Sequence, residues 1–160
     1  MEEWLEGEVV KNIKWTKNLA SLKIKAKINN HQAGQFTRIG LKLNDAFITR
    51  SYSYASAPKD ELLEIIYVNI PNGKLSPILH NLKIGDKVSV MQQAIGYFTL
   101  DGIPDGKNLW MLATGTALGV FLAILKTPHP WKRFKKIILI QKKYFIIWMK
   151  LVSNWTQEII

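Results

Sequence analysis

From residue 7 to 100 the chain alternates between apolar and polar residues with a period of two. Six runs of strand length carry the pattern: "EVVKNIKW", "SLKIKAKI", "QFTRIGLKL", "FITRSYSYA", "LEIIYVNI" and "DKVSVMQQ". Successive side chains on a strand point to opposite faces, so each run can bury one face and wet the other. Turn formers separate the runs at Asn29-Asn30, Asn44-Asp45, Pro58 to Asp60, Pro71-Asn72-Gly73 and Gly85-Asp86. Short strands at this spacing predict a small antiparallel barrel or sandwich. One helix breaks the rhythm: "KLSPILHNLK", 74–83, sets Leu75, Ile78, Leu79 and Leu82 on one helical face.

After "DGIPDGKN" (101–108) the period changes. "LWMLATG" reads as a buried parallel strand, "TALGVFLAILK" as a helix, and "KKIILI" (135–140) as a second buried strand. Residues 127–134, with Pro128 and Pro130, read as the loop between them. Strand, helix, strand is the opening of a βαβ unit. The boundary falls near 101, giving an expected domain over 1–101 and another over 102–160.

The uncharged stretch 109–125 tests a membrane reading. A spanning helix needs about 17 to 25 apolar residues. This run sits at the lower limit and is broken by Thr114-Gly115-Thr116, so it is read as strand, turn and helix, without stable membrane insertion. The acidic start "MEEWLEGEVV" lacks the apolar core of a signal peptide. With no cysteine, the sequence cannot form disulfides or zinc-thiolate sites, which accords with a cytoplasmic location.

A net charge of +10 invites a nucleic-acid reading. The charge is localised, however: residues 1–125 carry +3 and residues 126–160 carry +7. Arginine occurs only at 38, 50 and 133, so 19 of the 22 basic residues are lysine. A lysine bias beside abundant Ile and Asn is what AT-rich coding DNA produces. No interleaved basic and aromatic patch lies outside the tail, so no nucleic-acid partner is expected.

The segment "RSYSYASAP", Arg50 to Pro58, concentrates a cation, aromatic rings and hydroxyls on one strand. In a regular strand Arg50 and Tyr52 share one face, and Ser51 and Ser53 the other. The plain reading is a barrel strand with polar residues outward. The alternative is a site for a flat aromatic ligand bearing phosphate. A guanidinium grips phosphate bidentately, a tyrosine ring stacks, and a serine hydroxyl hydrogen-bonds a ring nitrogen. In "PNGKLSP", Gly73 precedes the expected helix, whose free N–H groups favour phosphate. Lys74 and Ser76 add a cation and a hydroxyl. The third candidate is "ATGTALG", where Thr116 stands at the strand-to-helix switch. His31, His80 and His129 have no evident metal or triad partner in sequence and read as structural or surface residues.

Together these segments resemble the ferredoxin–NADP reductase superfamily, and most closely its bacterial flavodoxin/ferredoxin–NADP reductases. Arg50 to Ser53 matches the RxYS signature, "GKLS" (73–76) the flavin-phosphate motif, and "LWMLATGTALG" (109–119) the start of the nicotinamide domain. "QAGQFT" (32–37) and "IGYFTLD" (95–101) are also similar, and the likeness runs over about 1–140. The resemblance implies an antiparallel Greek-key β-barrel FAD domain followed by the first part of a parallel α/β nicotinamide-binding domain. It implies FAD as cofactor, NADPH as substrate, and ferredoxin or flavodoxin as electron partner of a monomer. Arg50 and Ser51 would lie at the cofactor, with Arg50 on the pyrophosphate. Tyr52 would stack on the flavin and Ser53 would bond near its reactive nitrogen. Tyr67, Val68 and Asn69 would line the cofactor, Lys74, Leu75 and Ser76 would cap its phosphates, and Thr116 would close the site.

The likeness ends abruptly. Val120 stands where these enzymes usually have proline. After Ile140 the family continues with an arginine-bearing segment that contacts the NADP phosphate, whereas this chain reads "QKKYFIIWMKLVSNWTQEII". Its residues 142–148 follow neither a clean helical nor a strand period. The tail is expected to be the product of a frame change near codon 141, leaving a truncated reductase; the other reading is a divergent strand and helix. A non-catalytic flavin-binding remnant is the corresponding functional alternative.

Overall fold

The computed structural model describes residues 2–141 and the backbone of Trp148–Met149. The expectation of a frame change concerns the tail, almost all of which lies outside these residues. The first part of the chain forms β1 (Trp4–Lys14), β2 (Leu19–Lys25), β3 (Phe36–Leu43), β4 (Ala46–Ser53), β5 (Leu63–Val68) and β6 (Lys87–Met91), with α1 (Ser76–Asn81) before β6. All neighbouring strands pair antiparallel in the order β4-β3-β6-β1-β2-β5. The two ends of this sheet meet, because Tyr54 and Ile65 form an antiparallel bridge and Ala55 N–H donates to Glu64 O at 2.7 Å. The expected antiparallel barrel is therefore present as a curled six-stranded sheet.

The inward faces of these strands supply the core: Val9, Leu22, Ile24, Ile39, Ile65 and Val90 are buried together. Helix α1 has six residues, too few to persist alone. Leu75 and Leu79 join it to the barrel core, each burial worth roughly 1.5–3 kcal/mol.

The second part comprises β7 (Asn108–Ala113), α2 (Ala117–Leu125), α3 (His129–Arg133), β8 (Lys136–Gln141) and β9 (Trp148–Met149). Strands β7 and β8 pair in parallel across α2, as the strand–helix–strand pattern predicts. Two expectations are corrected here. Residues 127–134 contain the helix α3 rather than a loop, with Pro130 in its first turn, where the missing N–H has no helical partner to lose. Strand β7 is buried on one face only: Leu109, Met111 and Ala113 are covered, while Trp110 and Leu112 are 59% and 67% exposed. Helix α2 packs on a single side of the strand, as Val120, Phe121 and Ile124 in the second core cluster show.

Arg133 ties the connecting segment to α3, donating to Asp105 at 2.9 Å, to Leu100 O at 2.6 Å and to Ile103 O. The stretch 109–125 is strand, turn and helix. No helix among the described residues is long and apolar enough to cross a membrane.

Candidate functional site at the barrel seam

The seam between β4 and β5 is where the sheet ends meet. The bridge Tyr54–Ile65 fixes their register. Continued outward, that register sets Tyr52 opposite Tyr67, Ser51 opposite Val68 and Arg50 opposite Asn69. No ladder joins these three pairs among the described residues. Beyond the bridge the two strands thus run on as unpaired arms of the seam.

On the β4 arm Arg50, Ser51 and Ser53 are exposed and Tyr52 is half-buried. Arg50 Nη1 donates to its neighbour's carbonyl, Thr49 O, at 2.7 Å, and among the described residues Arg50 forms no ion pair. Most of its donors therefore remain available to an anion. Burial pushes the Tyr52 phenol above its ordinary pKa, and the Arg50 charge partly offsets this.

On the β5 arm the three candidate residues divide. Val68 is exposed. Asn69 is half-buried, and its Oδ1 is buried with no hydrogen-bond partner. Such an orphaned acceptor is rare in folded proteins and suits a donor brought by a ligand. Tyr67 turns the other way: it is 1% exposed, and its hydroxyl donates to Asn12 Oδ1 at 3.0 Å. Burial pushes its pKa up to about 12. Its ring belongs to the barrel core rather than to the exposed face of the arm.

The turn before α1 also divides. Lys74 is exposed, whereas the Leu75 side chain lies in the core, leaving its backbone for a ligand. Ser76 is buried, and its Oγ accepts the Ile70 N–H at 3.0 Å, so its O–H remains as a donor. The first N–H groups of any helix have no intrahelical partner.

Helix α2 packs beside the bridged end of the seam. A Cβ at Gly119 would stand 3.4 Å from Ile66 Cβ and 3.5 Å from Ala55 Cβ. Thr116, the N-cap, lies one turn before that contact and is half-buried, next to Gly115 at φ +55°. Gln141 at the end of β8 donates to Gly115 O at 3.2 Å. His31 stacks on Tyr54 with ring centroids 4.1 Å apart, and His80 lies 6.3 Å from Tyr67; neither is at the exposed arms. Sequence reasoning missed Asn12, whose only signal is a polar residue amid β-formers, and Lys126, which has no signal of its own.

A curled antiparallel barrel with an arginine–tyrosine arm at its seam, followed by a parallel strand–helix–strand, defines a flavin-nucleotide module of the oxidoreductase type. The chain belongs to the oxidoreductase FAD-binding domain family, which matches residues 6–98. It is 45% identical over 140 residues to a flavodoxin/ferredoxin–NADP reductase of Shigella flexneri, a match covering 88% of this chain and 56% of that protein. The corresponding protein of Escherichia coli K12 is 44% identical over the same extent. A crystal structure of a ferredoxin NADP+ reductase from Neisseria gonorrhoeae with bound FAD and NADP superposes with a TM-score of 0.82 at 31% identity, over 88% of this chain and 58% of that one. The chain thus spans a little over half the length of these relatives.

Proposed function

We propose that this chain carries the FAD of a reductase that moves electrons between NADPH and ferredoxin or flavodoxin. The observation that carries the reading is the unpaired stretch of the seam: beyond the Tyr54–Ile65 bridge it gathers an exposed guanidinium with no ion pair among the described residues, a half-buried tyrosine and an orphaned acceptor, Asn69 Oδ1. These residues fit the parts of FAD. Arg50 offers a bidentate fork to the pyrophosphate. Tyr52 offers an aromatic face, and Ser51 and Ser53 offer hydroxyls. Asn69 Oδ1 accepts from a hydroxyl or N–H. Val68 supplies apolar surface, Lys74 with the Leu75 and Ser76 amides meets phosphate, and Thr116 closes the end under α2. FAD, when bound, supplies the hydride and single-electron chemistry; the protein contributes binding and orientation. Tyr52 and Ser53 are the side chains assigned to the reacting ring.

The same reading divides the chain near residue 101 into a flavin unit and a nicotinamide unit. It places a monomer in the cytoplasm, where reduced pyridine nucleotide is supplied, and includes no nucleic-acid partner. A second reading, FAD binding without NADPH turnover, draws on one feature: β9 pairs antiparallel to β8, where a nicotinamide sheet would continue in parallel. The test is reconstitution with FAD, followed by NADPH-driven ferricyanide reduction. A chain that retains no flavin overturns both readings. Retained flavin with turnover supports the first, and retained flavin without turnover the second.

A further inference from the structure

Asn12 lies on β1, away from every surface assigned above, yet its carboxamide is fully engaged. Its Oδ1 accepts the Tyr67 hydroxyl at 3.0 Å, and its Nδ2 donates to Leu79 O at 2.8 Å and Leu82 O at 3.0 Å. The two carbonyls belong to the last turn of α1 and its C-cap; Leu79 O also accepts the Leu82 N–H at 3.3 Å, so the amide adds a second donor there. One half-buried amide therefore joins β1, β5 and the helix that begins at the Lys74–Ser76 turn. Asparagine is disfavoured within strands, and an apolar β-former would suit this position by propensity alone. The amide's bonding is what the position uses.

Tyr67 connects that junction to the seam. Its ring is buried in the barrel core, and the register of the seam sets it opposite Tyr52. Tyr52 itself packs against the core cluster that contains Tyr67, Leu75 and Leu79. We propose that Asn12 is a positioning residue of the flavin site: it holds the Tyr67 ring behind Tyr52 and, through α1, fixes the spacing between that aromatic surface and the phosphate-facing turn at 73–76. The inference rests on the flavin reading given above and adds a residue that never touches the ligand.

The prediction concerns geometry as well as stability. Asn12→Val, Tyr67→Phe and the double variant would each be loaded with riboflavin, FMN and FAD. Visible-region circular dichroism reads the asymmetry around the bound ring, and titration reads affinity. Asn12→Val is expected to alter the dichroism and to weaken FAD by about tenfold, the scale of one or two lost buried hydrogen bonds. Riboflavin, which has no phosphate to register, should lose less than FAD. Tyr67→Phe should alter the dichroism in the same sense, and the double variant should lose less than the sum of the singles. Variants that melt earlier but keep wild-type dichroism and the wild-type FAD-to-riboflavin ratio would show Asn12 to be structural only and overturn the proposal. Should Asn12→Val fail to fold, Tyr67→Phe decides: an unchanged flavin dichroism in that variant is equally fatal. A wild-type chain that binds no flavin overturns the flavin reading and this inference with it; unchanged variants of a flavin-binding wild type overturn this inference alone.

Discussion

Lys126 Nζ donates to the backbone carbonyl of Ala55 at 2.8 Å, so the C-cap of α2 is fastened to the residue that follows the barrel's closing bridge. The same ammonium lies 3.4 Å from Glu64 and 3.8 Å from Asp60. With its side chain 41% exposed, the charge pairs are screened and the carbonyl bond dominates. Lys126→Met keeps the apolar stem and removes all three contacts. It is expected to lower stability by about 1 kcal/mol, read from urea unfolding, and to speed hydrogen exchange in α2. Unchanged exchange would show that apolar packing alone holds the helix.

The second contact of α2 makes an opposite-sign pair. A methyl at Gly119 would meet Ile66 and Ala55 at ordinary van der Waals distance. Gly119→Ala should therefore be neutral or stabilising by up to about 1 kcal/mol, since glycine is costly within a helix. Gly119→Leu has no room and should destabilise by about 1–3 kcal/mol as α2 is pushed off the seam. Thermal unfolding of both variants checks the pair. A destabilised Gly119→Ala would mean a tighter approach than the one described.

Arg50→Ala should weaken FAD retention more than Lys74→Ala. Arg50 offers a planar fork with no ion pair among the described residues, whereas Lys74 is a point charge beside the first backbone amides of α1, which on the flavin reading would share its load. Losing a charge-assisted bond removes about 1.5–3 kcal/mol, or one to two decades in the dissociation constant. Equilibrium dialysis with FAD measures both constants; the reverse order would place the pyrophosphate at the α1 turn.

Tyr67 gives a pH dependence with a defined sign. Its phenol titrates at about 12 in the folded chain against an ordinary value of 10.0, chiefly because burial disfavours the anion. The neutral form is thus favoured by folding. Its contribution is complete below pH 10.0 and is lost as pH rises towards 12. Unfolding free energy should fall over that window, and Tyr67→Phe should flatten the fall. Equal slopes for wild type and variant would assign the alkaline loss to other groups.

Much of this molecule was readable from its residues because the signals were local. Period-two alternation yields strands wherever one face can be buried, and the runs around Leu22, Ile39 and Val90 did so with ends differing by a few residues. The change of period after residue 101 marked β7, α2 and β8 for the same reason. The 127–134 segment misled because two prolines suggest a loop, although Pro130 in a first turn is compatible with a helix. Strand β7 misled because a uniformly apolar run does not reveal how many of its faces are covered.

The sequence by itself determined which segments are strands and which helices, and where a cation, a ring and hydroxyls gather on one strand. These follow from spacing within a few residues, where side-chain direction is set by the backbone. Only the tertiary structure decided that Tyr67 faces the core while Val68 is exposed, that Asn69 Oδ1 is buried without a partner, that Ser76 Oγ accepts the Ile70 N–H, and that Lys126 fastens α2 to Ala55. It also decided the role of Asn12, whose bond to Leu79 spans 67 residues of chain. The physical reason is the interleaved strand order. A barrel that closes β4 against β5 across four other strands brings distant residues together by burial and long-range pairing. No local period encodes which of two strand faces ends up inside that closure.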